Sequence, residues 1–205
     1  MSTIRAPRRV ALAAVAATLA AGLSATAATG APPTAPTTAI SVPTAVPTTG
    51  WCGIGWGSLG RSRTIGTAPG TLSDVRAGRH TCFDRLVLDV DDVAGSLGYD
   101  VRYVDAVRAD GSGQVVPTAG GARLQVVLHS PAYDGRGQAT YPVADRDALV
   151  DVDGWSTFRQ VVWAGSFEGR STLGLGVRAR LPFRVFVLDG PGDGARLVVD
   201  VAHRW

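Results

Sequence analysis

The chain has 205 residues, 20 basic and 17 acidic side chains, a formal net charge of +3 and a sequence pI near 9.3. Lys and Asn do not occur, which excludes a lysine nucleophile, a Schiff base and a Cys-His-Asn triad. Three of the arginines fall in the N-terminal leader, and the rest balance at 17 basic against 17 acidic, so no net positive field draws nucleic acid or anionic lipid to the remainder.

The leader is legible first. Arg5, Arg8 and Arg9 form a basic region, Val10 to Leu23 is apolar and Ala-rich, and Ala25-Thr26-Ala27 offers a small-residue cleavage site. That is the layout of a secretory signal peptide, assigned here to residues 1–28. The apolar run is too short and too weakly hydrophobic for a membrane span, so no stable membrane insertion is expected after cleavage. Arg8-Arg9 also fits a twin-arginine export signal loosely. No cysteine closes the apolar run, so a lipid anchor is not expected. Residues 29–50 hold Pro32, Pro33, Pro36, Pro43 and Pro47 among Thr and Ala. At ~3 Å per residue such a segment is either a spacer through a cell envelope or a disordered leader. Residues 51–205 then suffice for one domain with a core of its own.

Cys52 and Cys82 are the only cysteines of a chain that reads as exported. They are expected to form one structural disulfide, stabilising the fold by ~3 kcal/mol in the chain-entropy account. Between them, Gly55-Trp56-Gly57-Ser58-Leu59-Gly60 matches G-x-G-x-x-G literally. A dinucleotide site needs that motif between a strand and a helix, and no helical pattern follows. The glycines, Trp51 and Trp56 are expected instead to form an irregular lid held by the disulfide.

Beyond Cys82 the pattern is strand-like. Strands are expected over 83–91, 99–107, 114–118, 123–129, 155–163, 172–180, 183–188 and 195–202. The region 130–138 reads as a loop, and 141–153 is ambiguous, with at most one helical turn near 144–149. Arg85-Leu86-Val87-Leu88-Asp89-Val90 and Arg196-Leu197-Val198-Val199-Asp200-Val201 are near copies. In each, apolar residues alternate with Arg and Asp, apart from one extra valine, as in half-buried strands of similar role in one sheet. Short strands, Gly-rich turns and almost no helix predict an all-β fold. The expected architecture is an antiparallel β-sandwich (or partly open barrel) of about seven or eight strands.

Chemistry-bearing constellations are sparse. No serine has the two glycines of a nucleophile elbow. His80, His129 and His203 are isolated, and His129 and His203 read as surface residues rather than metal ligands. Asp89-Val90-Asp91-Asp92 lacks the oxygen-donor spacing of a Ca²⁺ loop and reads as a solvated strand end; Asp145, Asp147, Asp151 and Asp153 raise the same question more weakly. Glu168 is the only glutamate, and a glycosidase would need a second carboxylate at a set distance. No catalytic residue, metal or cofactor is expected. Trp155, Phe158, Trp163, Phe167 and Tyr141 concentrate aromatic rings in the second half, either as core or as a platform for sugar rings.

The segment Val75–Val90, followed by Gly98-Tyr99-Asp100-Val101-Arg102-Tyr103, resembles the AMIN-like domain of exported actinobacterial proteins. Phe167-Glu168-Gly169, Leu173-Gly174-Leu175-Gly176-Val177, Leu181–Asp189 and Ala195–His203 fit the same family in order, so the resemblance covers roughly residues 52–203. The family is similar, more distantly, to the AMIN domain that localises cell-wall amidases and secretins. The resemblance implies a two-sheet β-sandwich that targets the extracytoplasmic envelope without chemistry, with peptidoglycan or another cell-wall glycan as partner. It supplies no ligand residues. From residue type and strand parity, the expected carbohydrate face comprises Arg102, Tyr103, Arg159, Trp163 and Glu168: arginines for carboxylates and acetamido carbonyls, aromatics for stacking. The alternatives are a protein-interaction module that recruits an envelope enzyme or complex, and a wall-acting hydrolase.

Overall fold

The computed structural model describes residues 52–64, 70–93 and 96–205. The signal peptide, the Pro/Thr linker and Trp51 lie outside the described residues. Among the described residues eleven strands form three antiparallel sheets, with no helix. In the five-stranded sheet the order is β1 (Arg61–Arg63), β4 (Tyr99–Val104), β7 (Ala122–Leu128), β9 (Arg170–Val177), β8 (Phe158–Phe167). The four-stranded sheet runs β10 (Phe183–Asp189), β11 (Ala195–Ala202), β3 (Phe83–Asp91), β2 (Thr71–Arg79). A two-residue hairpin pair, β5 (Val107–Arg108) and β6 (Val115–Val116), makes the third sheet.

The inner faces of the two large sheets share one core. Leu72, Leu86, Leu88, Leu197 and Val199 from the four-stranded sheet meet Val101, Leu124, Val126, Leu173 and Leu175 from the other. The expected alternation is therefore the cause of the sandwich: each strand presents one apolar face, and two such faces cover each other.

The near copies pair with each other. β11 runs antiparallel to β3 with Asp200 opposite Arg85 and Arg196 opposite Asp89. A repeat with Arg and Asp four residues apart, laid antiparallel on itself, places each arginine against the other copy's aspartate. Arg85 grips Asp200 through two nitrogens at 2.6 and 2.9 Å, and Arg196 Nε lies 3.2 Å from Asp89. The flanking strands complete both carboxylates, with Arg184 of β10 on Asp200 and Arg76 of β2 on Asp89. The extra valines, Val87 and Val198, face each other between these clusters and are buried.

Leu173-Gly174-Leu175-Gly176-Val177 has an equally physical reading. Its large residues point into the core, and its glycines point outward beneath the β5–β6 hairpin. A Cβ on Gly174 would sit 2.7 Å from Val162 Cγ2 and 2.9 Å from Val107 Cγ2; one on Gly176 would overlap the Ala119 carbonyl. The hairpin reaches the sheet because nothing protrudes there.

The disulfide joins Cys52 to Cys82 across 30 residues, as expected. The segment after it is irregular and works as a strap. Trp56 packs on Phe83, the Gly57 carbonyl accepts the Phe183 N–H at the edge of one sheet, and β1 then pairs with β4 in the other. The strand count exceeds the expected seven or eight through β1, β2 and the break of the expected 99–107 strand into β4 and β5; β6 falls within the strand expected over 114–118. β2 escapes a period-two reading because its register slips between Leu72 and Asp74, which breaks the alternation. β8 lies three to four residues later than expected and carries two such slips of its own. The ambiguous 141–153 stretch holds no helix: the Asp145 and Asp151 carboxylates each accept the backbone N–H two residues on, so this chain of aspartates makes local turns.

Candidate binding site

Two surfaces concentrate arginine and aromatic side chains. The first is the outer face of the four-stranded sheet. There the Arg184 guanidinium lies 4.4 Å from the Trp56 ring centre and 5.0 Å from that of Phe186, and Arg85 lies 5.2 Å from Phe83. Every one of these arginines is already held by a carboxylate, and Asp200 beneath two of them is fully buried. The Asp200 bond holds the Arg85 guanidinium in its charged form more strongly than usual. A face whose charges are satisfied internally stiffens a sheet and has little left for a ligand.

The second is a cleft of about 580 Å³ beside the end of β8. Its walls come from three places: the turn between β5 and β6 with Asp110, the loop carrying Tyr133, Tyr141 and Arg146, and the end of β8 with Trp163 and Phe167. The sequence fixes these walls locally. The Tyr133 hydroxyl accepts the Gly169 N–H and so pins the β8–β9 turn. Trp163 N–H donates to the Arg146 carbonyl, which seats the loop on the strand's edge. Gly111 lies against the Phe167 ring, where a Cβ would stand 3.4 Å from ring carbons. Phe167 remains half exposed at 51%, and Tyr141 packs its ring 5.7 Å from that of Trp163.

Ser112, Tyr133 and Ser166 are hydrogen-bonded within the protein, but the charged groups of this cleft are not fully satisfied. Asp110 Oδ2 is buried and within hydrogen-bond distance of no donor among the described residues; the Thr172 hydroxyl is buried nearby, close enough to act on the carboxyl. Burial raises the Asp110 carboxyl above its ordinary value, against the opposing pull of Thr172 and Arg170. Burial likewise raises the Tyr141 phenol. Arg146 is exposed and forms no ion pair among the described residues. Aromatic walls with an unpartnered carboxylate oxygen and a guanidinium outside any ion pair suit a ligand with a weakly polar ring face and hydroxyl or amide edges. A larger concavity of about 670 Å³, lined by Val115, Thr118, Arg123 and Gln160, has no aromatic ring in its walls.

The five residues expected on a carbohydrate face fall in different places. Trp163 lines the cleft, with only 7% of its surface exposed. Glu168 follows Phe167 in the β8–β9 turn, exposed and with a left-handed backbone, φ 48°. Tyr103 points toward the core, its hydroxyl bonded to the backbone of Leu181 and its ring beneath Arg180. Arg102 sits on the opposite side of β4 beside Asp100. Arg159 donates to the carbonyls of Trp155 and Phe158. Parity along single strands does not gather these five. Asp110, Tyr133 and Arg146 were missed because they sit in turns and loops, where no period marks them; the loop-borne Tyr141 was noted for its ring alone.

His203 is not the free surface residue expected. Its Nε2 lies 3.1 Å from Asp84, a fully buried carboxylate that also accepts the N–H groups of Thr157 and Phe158. His129 is half-buried, and burial together with Arg170 lowers its imidazole. Asp89 proves to be the anchor of two arginines rather than a solvated strand end. Among the described residues no cluster of His, Cys, Asp and Glu could hold a metal ion.

An all-antiparallel sandwich, stapled by one disulfide and bearing an aromatic cleft, defines the class of a β-sandwich domain. The comparison with family models is specific: residues 70–203 match the AMIN-like domain. The match spans about two thirds of the chain, and the protein belongs to that family, whose members are cell-wall-associated, extracytoplasmic modules that are generally non-catalytic. No curated protein sequence matches the chain. Among the described residues no helix is long and apolar enough to cross a membrane.

Proposed function

We propose that this protein is an exported, non-catalytic cell-envelope module that binds peptidoglycan or another wall glycan through the cleft beside β8. The observation that carries the reading is the cleft itself, where Tyr133, Tyr141, Trp163 and Phe167 surround an unpartnered buried carboxylate oxygen. Sugar rings stack on aromatic faces, while a hydroxyl or acetamido group would supply a donor to the Asp110 carboxylate. Arg146 would meet a carboxylate of the wall. Of the face expected from sequence, Trp163 and the adjacent turn of Glu168 belong to this proposal. Asp110 is the one acidic residue among those lining the cleft, which supports binding over the two-carboxylate chemistry of a glycosidase.

The test is co-sedimentation of the exported, oxidised protein with purified, protein-free sacculi. Saturable pelleting is expected. Substituting Phe167→Ala and Arg146→Ala together, both on exposed side chains, should weaken it roughly tenfold or more, the loss of one stacked ring and one charge-assisted contact. Arg102→Ala with Arg159→Ala should leave it unchanged. Unchanged pelleting of the cleft variant would remove the cleft from the reading. No pelleting of folded protein would favour recruitment of an envelope protein instead, and turnover of labelled muropeptides would replace a binding module with an enzyme.

A further inference from the structure

Among the described residues four strands lie at the edges of the two large sheets, and three are guarded. β1 is three residues long and carries two arginines. β8 is bulged twice, and its edge is occupied by the loop that bonds Val161 and Trp163. β2 is bulged and charged, and its Leu72 bonds Pro131 and Thr140. These are the usual devices against edge-to-edge pairing.

β10 has none of them beyond its first residues. It pairs with β11 over seven positions without a register slip. The Phe183 N–H turns away from β11 to the Gly57 carbonyl, and the Ala202 N–H bonds Pro182. Strand parity therefore aims the N–H and C=O groups of Val185, Val187 and Asp189 outward as well, and among the described residues they meet no partner. The side chains along this edge are apolar: Val185, Phe186 and Val187 are half-buried, and Leu188 is 43% exposed. Arg184 is held by Asp200 at the strapped end.

We propose that this edge pairs with the same edge of a second copy of the chain, forming a two-fold dimer with one continuous eight-stranded sheet. The register follows from what is free. The open stretch runs from Val185 to Asp189, so the two-fold axis passes at Val187. Val187 then meets Val187 of the other copy, and Val185 meets Asp189, making about six backbone hydrogen bonds. On the outer face Phe186 lies against Leu188 of the other copy, which covers the exposed leucine twice over. No like charges stand opposite, and the strap at Gly57 lies outside the paired stretch. Antiparallel self-pairing about a two-fold axis needs only one surface to be complementary to itself, which this one is.

Light scattering after size exclusion of the exported, oxidised protein should give about twice the monomer mass at micromolar concentrations and above. Val187→Pro removes an outward N–H that β11 does not use, and should yield a monomer with an unchanged far-ultraviolet spectrum; Leu188→Lys provides a second disruption that spares the backbone. The register is read by cysteine pairing. Phe186→Cys mixed with Leu188→Cys should form an intermolecular disulfide, while neither alone should, because identical positions would lie beyond disulfide reach, ~8 Å apart. A monomer at all concentrations, a dimer that survives both disruptions, or either cysteine variant bonding to itself as readily as to the other would overturn the proposal. Binding of a different protein at the edge of a monomeric chain would overturn it too.

Discussion

Asp84 offers the sharpest test of how this sandwich is tied together. Its carboxylate is fully buried, with Oδ2 accepting the N–H of Thr157 at 2.7 Å and of Phe158 at 3.0 Å, and Oδ1 3.1 Å from His203. It therefore joins the start of β3 to the start of β8, in the opposite sheet, and to the residue after β11. Asp84→Ala strands two buried donors, each costing about 1–3 kcal/mol, so the expected loss is about 4 kcal/mol. In a domain of this size that corresponds to a fall of roughly 10 °C in Tm. Asp84→Asn, which keeps an acceptor of the same shape, should lose less. Thermal and urea unfolding of the oxidised protein, followed by circular dichroism, measures both, with Asp91→Ala at the exposed strand end as a control within about 0.5 kcal/mol. A loss below about 1 kcal/mol for Asp84→Ala would refute the reasoning: water would then be replacing the carboxylate, and the joint would not be dry.

Two further outcomes follow from the same structure. Gly176→Ala places a methyl group against the Ala119 carbonyl, a backbone atom with nowhere to yield, and should cost about 3 kcal/mol by urea unfolding; a neutral result would show that the segment after β6 does not rest on β9. Burial raises the Asp110 carboxyl in the folded state, so folding takes up protons there and the ionised form opposes it. Asp110→Asn should thus match the parent near about pH 3, where both folded and unfolded carboxyls are protonated. The variant should become the more stable of the two as pH rises through the raised folded value, and a constant Tm difference across that range would contradict the assignment.

The alternation in residues 83–91 and 195–202 was enough to place two strands and their buried faces, because period-two patterning is a property of the chain alone. The sequence also sufficed for the disulfide, since the chain has two cysteines and they leave one intramolecular pairing. It further sufficed for the family, since its motifs lie in a set order. It did not give β2, whose bulge destroys the alternation, nor β1, too short to leave a period, nor the break that separates β5 from β4.

The candidate binding surface was the least legible part. Tyr133 and Asp110 lie far from Trp163 in the chain, and only the folding of two loops over the end of β8 brings them to one cleft. The near-repeat shows the division most clearly. Composition and spacing determined that Arg85, Asp89, Arg196 and Asp200 share the outer side of their strands. Only the antiparallel register decided that Arg85 meets Asp200 and Arg196 meets Asp89, because which strands become neighbours is settled by burying two whole sheets against each other, and no single strand carries that information.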